Sequence, residues 1–143
     1  MTFSNELLNR FQEIQELQKE VLEKFGDQDY NVFIFGSYLT ERYREGKSDI
    51  DIVIYAENYK KYLDISLYFE DYFSKKGIAQ DIFSVDLSMP SAIYYPSLSS
   101  PIRFTDYYPE KLSDFVSKCK EICDKNKEAF YVYQRRNIEV VQS

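Results

Sequence analysis

Phe35-Gly36-Ser37-Tyr38-Leu39-Thr40-Glu41-Arg42-Tyr43-Arg44-Glu45-Gly46-Lys47-Ser48-Asp49-Ile50-Asp51 is the stretch from which the fold can be read. The apolar run Tyr30 to Phe35 ends at Gly36-Ser37, and a second, Ile50 to Tyr55, opens around two aspartates. Both runs read as short strands, the first apolar enough to be buried on both faces. A short helix or turn is expected from Ser37 to Glu45, closed by Gly46. Gly36 lets the backbone approach a ligand closely. A helix starting there would offer unpaired N–H groups to a phosphate, and the Ser37 hydroxyl would add a donor.

Asp49 and Asp51 are two residues apart, so on a strand both carboxylates point to one face. Two acids side by side repel each other, and Asp51 lies in an apolar run where an unpaired charge is costly. A cation between them removes the cost, and an oxygen-only donor set suits Mg²⁺ or Mn²⁺. Ile78 to Leu87 reads as a third strand whose Asp81 could join the pair from the side. Three carboxylates beside a phosphate cradle describe a two-metal phosphoryl- or nucleotidyl-transfer site. Asp86 is an odd number of residues from Asp81, faces the other way, and reads as a turn or solvent-facing residue.

Outward from this core, Leu7, Leu8, Phe11, Ile14, Leu17, Val21, Leu22 and Phe25 follow a helical period. Ser4 is the expected N-cap, Phe3 could staple onto Leu8, and Gly26 closes the helix. A second helix is expected over 57–76, with Tyr59, Tyr62, Leu63, Phe69 and Phe73 on its buried stripe and Gly77 as its stop. Residues 88–108 hold three prolines, several serines and two tyrosine pairs, Tyr94-Tyr95 and Tyr107-Tyr108. They read as an irregular loop with the tyrosines packed. Pro109 opens a C-terminal helix over 109–136, with Leu112, Phe115, Val116, Cys119, Ile122, Cys123, Phe130 and Tyr133 on its apolar stripe. The order describes one α/β (α+β) domain over 1–143: a small mixed sheet, helices packed on one side, and a C-terminal helix. Its chemical motifs lie within 30–87.

Composition narrows the chemistry. The 143 residues include no histidine, which removes imidazole bases, Ser-His-Asp and Cys-His catalysis and His-bearing zinc sites. Eighteen basic against 24 acidic residues give a net charge of −6 and a pI near 4.8. That disfavours a surface built to grip nucleic acid or an anionic membrane. No apolar run approaches the length of a membrane span, and Met1-Thr-Phe-Ser-Asn-Glu6 has neither the basic nor the apolar part of a signal peptide. Cys119 and Cys123 are four apart and read as small core residues, which predicts a reduced, cytoplasmic protein.

Gly36-Ser37, eleven residues, then Asp49-Ile50-Asp51 resembles the signature of the nucleotidyltransferase superfamily that includes DNA polymerase β. Among its branches the sequence is most similar to the minimal nucleotidyltransferases, and Gly77-Ile-Ala-Gln-Asp-Ile-Phe-Ser-Val85 resembles the strand carrying that family's third carboxylate. Leu39-Thr40-Glu41 stands where many of those proteins carry an Arg-Gly pair. The resemblance implies that Asp49, Asp51 and Asp81 are the catalytic and metal-binding residues, holding two Mg²⁺ ions. Gly36 and Ser37 would bind the triphosphate, with Arg42 or Lys47 as a cationic phosphate partner.

The implied reaction moves a nucleoside monophosphate, AMP from ATP, to a hydroxyl on a protein or small molecule and releases pyrophosphate. An antitoxin-type adenylyltransferase acting on a helical HEPN-type toxin is one version, with a partner protein or a self-dimer completing the site. The alternative is a non-catalytic binding module of the same fold that docks on a basic partner.

Overall fold

The computed structural model describes residues 4–142, and the side chains of residues 4–126. Its sheet is small and mixed, in the order β1-β2-β3: β1 (Tyr30–Phe35), β2 (Ile50–Ala56) and β3 (Gln80–Ser84). β1 and β2 are antiparallel and β2 and β3 parallel. The parallel pair needs a crossover, supplied by α2 (Tyr59–Lys75).

Alternation along the strands sorts two cores. Val32, Ile34, Ile50, Ile52 and Ile54 face α1 (Asn5–Phe25) and α2, where Ile14, Leu17, Val21, Ile65, Phe69 and Phe73 meet them. Phe33, Val53 and Tyr55 face the other way, toward Leu98 of α3 (Tyr94–Leu98) and Leu112, Phe115 and Cys119 of α4 (Glu110–Gln142). Covering a sheet on both faces is what makes strands this apolar stable in water. Cys119 is buried, Cys123 partly buried, and both are free thiols.

α1 is built as its sequence predicts at Ser4, whose Oγ accepts from Leu7 N–H at 3.2 Å, and at Gly26. Phe3 lies outside the described residues, so its staple does too. The buried face of α1 reads Leu7, Arg10, Ile14, Leu17, Val21, with an arginine in a core position, while Leu8 is half exposed. α2 turns differently from expectation. Ile65, Phe69 and Phe73 are buried, whereas Tyr59 and Leu63 are exposed, because the sheet lies nearer the Ile65 side.

The 88–108 segment is more ordered than a loop. It contains α3 and then a strap that zips along the free edge of β1. Ile34 N–H donates to Ile102 O at 3.0 Å, Phe104 N–H donates to Val32 O at 3.0 Å, and Phe33 bridges Arg103. Asn31 is fully buried and joins the strap through three bonds: its Nδ2 donates to Thr105 O and Tyr107 O, and its Oδ1 accepts from Thr105 N–H as well as from its own neighbour Val32 N–H. Pro109 precedes α4 rather than opening it, its carbonyl accepting from Leu112 N–H at 2.9 Å. α4 continues past Arg136 to Gln142. Phe130 and Tyr133 lie outside the residues whose side chains are described.

Candidate active site

The site grows from one row across the sheet. Register pairs Phe35 with Asp51 and Asp51 with Asp81, so the two aspartates are neighbours on the face that also carries Val53 and Phe83. Side chains at paired positions of adjacent strands lie side by side. Asp49 precedes β2 by one residue and is exposed, as is Asp81, while Asp51 is partly buried. Burial, then the charges of Asp81 and Asp49, holds the Asp51 carboxyl above the ordinary carboxylate value. The structure therefore brings all three predicted acids into one electrostatic cluster.

Gly36 is pressed against that cluster. Its φ is +78°, and a Cβ placed on it would stand 2.2 Å from Asp51 Oδ2. Only a residue without a side chain fits there. Gly36 and Ser37 stand at the end of the strand beside Asp51. The Ser37 hydroxyl makes no hydrogen bond among the described residues, so its donor is available to a ligand.

Of the short helix or turn expected after Gly36, the structure forms the turn: residues 37–47 are a run of turns. Thr40 explains the first of them. Its N–H and its Oγ1 both donate to Ser37 O, at 2.9 and 2.7 Å, and Oγ1 then accepts from Arg42 N–H at 3.1 Å. A threonine hydroxyl that bonds locally competes with the helical ladder, and here it wins. Further on, Arg44 N–H donates to Ser48 Oγ at 3.0 Å. The Tyr38 carbonyl, and the Thr40 carbonyl that also accepts from Tyr43 N–H at 3.5 Å, are taken by Arg10 of α1: Nε donates to Tyr38 O at 2.7 Å and Nη2 to Thr40 O at 3.0 Å. The Gly36-Ser37 segment is thus a turn, without a helix terminus behind it.

Arg42 and Lys47 are exposed on this connection, and neither forms an ion pair among the described residues. The structure does not bring them into contact with the carboxylates. Arg44 is tied back to the Glu41 and Tyr43 carbonyls. Asp86 lies beyond β3 in a turn, its Oδ1 accepting from the Ser88 N–H and hydroxyl. Two pockets of about 380 Å³ each share Phe35 in their lining, and none of the three aspartates lines either. One is lined by Phe35, Val53, Phe83, Ile93 and Tyr94. The other is lined by Phe35, Gly36, Leu39, Pro96 and Ser99. Tyr94 also packs on Phe115, with ring centroids 5.4 Å apart, and Tyr107 stacks on Tyr55 at 6.4 Å. Sequence reasoning missed Arg10, although its place in the Leu7, Arg10, Ile14, Leu17 spacing marks it as a core position.

Among the described residues no three acidic, histidine or cysteine side chains stand close enough together to enclose a metal ion. The donor chemistry still fits a hard divalent cation, since it is oxygen throughout and Asp51 carries repulsion that such a cation relieves. No helix among the described residues is long and apolar enough to cross a membrane.

The chain belongs to the nucleotidyltransferase domain family, whose sequence model matches residues 14–127. That family transfers nucleotides from an NTP with a divalent metal. No curated protein matches the sequence. One solved chain is similar at 12% identity and a TM-score of 0.47, over 91% of this chain and 98% of that one. It comes from a crystal structure of the toxin–antitoxin MntA–HpeT in which two aspartates are changed to glutamate.

Proposed function

We propose that the protein transfers AMP from ATP to a hydroxyl of a partner protein, in the manner of an antitoxin-type adenylyltransferase. The observation that supports this best is the Asp51–Asp81 row with Gly36 packed against Asp51. Asp49, Asp51 and Asp81 would hold two Mg²⁺ ions. Bound there, these cations would neutralise the triphosphate and acidify the attacking hydroxyl. The Gly36 N–H and the Ser37 hydroxyl donate to the β- and γ-phosphates. Arg42 and Lys47 offer charge to the same phosphates from the exposed side of the turn. The pocket beside Val53, Phe83 and Tyr94 is sized for a nucleoside and apolar enough to hold its base.

Asp81 stands at the edge of the sheet, exposed, where an incoming hydroxyl can reach it. It takes the proton as the oxygen bonds to the α-phosphorus, and the bond from that phosphorus to pyrophosphate breaks. The acceptor is a helical HEPN-type toxin or, for a self-dimer, a second copy of the chain, in the cytoplasm. Labelled ATP, Mg²⁺ and candidate partners test the proposal: wild type should label a partner, and Asp49→Asn with Asp51→Asn should not. If metal and nucleotide binding are unchanged in that double variant, the enzyme reading fails and a docking module of the same fold stands.

A further inference from the structure

Arg10 is a buried cation that no carboxylate pairs with directly among the described residues. It is 8% exposed and forms no ion pair among the described residues. Its positive charge is met instead by two backbone carbonyls, Tyr38 O and Thr40 O, and by the faces of Tyr38 and Tyr43, with ring centroids 5.8 and 4.8 Å from the guanidinium carbon. A planar fork carries its donors on separate nitrogens, so Nε and Nη2 each reach one carbonyl while the guanidinium face lies by the rings; an ammonium must reach both carbonyls from a single nitrogen. A buried charge is tolerated only while such partners are in place. Among the described residues, every hydrogen-bond and aromatic partner of Arg10 belongs to the segment 38–43, directly after Gly36-Ser37.

The same helix end holds the segment at further points. The Ser4 N–H donates to Glu41 Oε1 at 2.7 Å, and the Tyr38 hydroxyl donates to Glu13 at 3.4 Å. The segment supplies little of its own rigidity, because its local bonds form turns and not a helix. We infer that Arg10 is a positioning residue that fixes the Gly36–Ser37 turn in the geometry that receives phosphate. It touches neither substrate nor reacting atoms and acts through the Tyr38 and Thr40 carbonyls. This rests on the proposed nucleotide role of Gly36 and Ser37, but its first consequence, the order of the turn, can be read without nucleotide.

The test uses the full chain carrying Arg10→Met, which keeps an unbranched apolar stem, and Arg10→Lys, which keeps the charge. Amide hydrogen exchange is read at Ser37–Tyr43 and at β1 and β2. Loss of charge-assisted hydrogen bonds should raise exchange in the turn about tenfold or more in both variants, with the strands unchanged. The KM for ATP in Mg²⁺ should rise by about the same factor, with kcat altered less. Exchange raised evenly across the protein would make Arg10 an ordinary core residue and overturn the inference, as would an unchanged turn. Recovery of wild-type exchange by Arg10→Lys would overturn the two-carbonyl grip. If the turn loosens selectively but wild type binds no ATP, the positioning role stands and the nucleotide reading fails.

Discussion

Gly36→Ala is the substitution whose effect the structure specifies most closely. A methyl at Gly36 would meet Asp51 Oδ2 at 2.2 Å, Cγ at 3.1 Å and Cβ at 3.4 Å. Ordinary heavy-atom contact lies near 3.5 Å, so the carboxylate must retreat by roughly 1 Å. Forcing an L-residue to a φ of +78° adds about 1–2 kcal/mol. Moving Asp51 off its rotamer adds about 0.5–1.5 kcal/mol. The substitution should therefore destabilise the protein by about 1.5–3.5 kcal/mol and lower Tm by roughly 5–12 °C for a chain of this size. Gly46→Ala is the control: its φ is +76° but nothing lies within 4 Å of the new methyl. It should cost only the backbone strain, about 1–2 kcal/mol. Thermal melts by far-UV circular dichroism compare the two. Adding Asp51→Gly to Gly36→Ala should recover the difference between them, because the clash and not the strain has been removed. Gly36→Ala melting together with Gly46→Ala would refute the close packing of the turn on Asp51.

Other outcomes follow from the same geometry. Asn31→Ala strips four bonds from a fully buried site and should cost about 3 kcal/mol by leaving the strap's polar groups unpaired, which a urea melt measures. Burial pushes the Glu57 carboxyl up, but hydrogen bonds from Lys111, Tyr55 and Tyr107 outweigh it and hold it below its usual value. A carboxyl held low contributes stability above its unfolded value and loses it as pH falls through the lowered folded value. Glu57→Gln should therefore melt below wild type at neutral pH and alongside it in acid. Asp51 is shifted the other way, so its ionisation costs stability once pH has risen through its raised folded value. In metal-free buffer at neutral pH, Asp51→Asn should melt above wild type; added Mg²⁺ should raise wild type more than the variant, and a melt with and without the ion decides it.

Local chemistry made the framework legible. The period of α1, the serine cap, the alternation of β2 and the crossover to Asp81 all follow from neighbours in sequence. The period of two puts Asp49 and Asp51 on one face, but the choice of Asp81 comes from the family pattern, and its pairing with Asp51 is a register only the structure gives. What was not legible depends on distant partners. The Thr40 hydroxyl turns the chain after Gly36 from within its own sequence, but nothing local announces that Arg10 from another element takes the Tyr38 and Thr40 carbonyls. Tyr59 and Leu63 fit a helical stripe as well as Ile65 does, and only the position of the sheet chooses between them. The strap over β1 is held by Asn31, seventy-odd residues away in sequence, and prolines at either end disguised it as loop.

The reach of α1 also bears on where the domain begins. Similarity to the family starts at residue 14, yet Ser4 and Arg10, which hold the turn beside Asp51, lie ahead of it. A fragment cut at that boundary would keep every acidic residue of the row and lose the donors to Tyr38 O and Thr40 O. Its boundaries would be correct by descent and wrong by mechanics, since the smallest piece that resembles the family is shorter than the smallest piece that can hold its own turn in place.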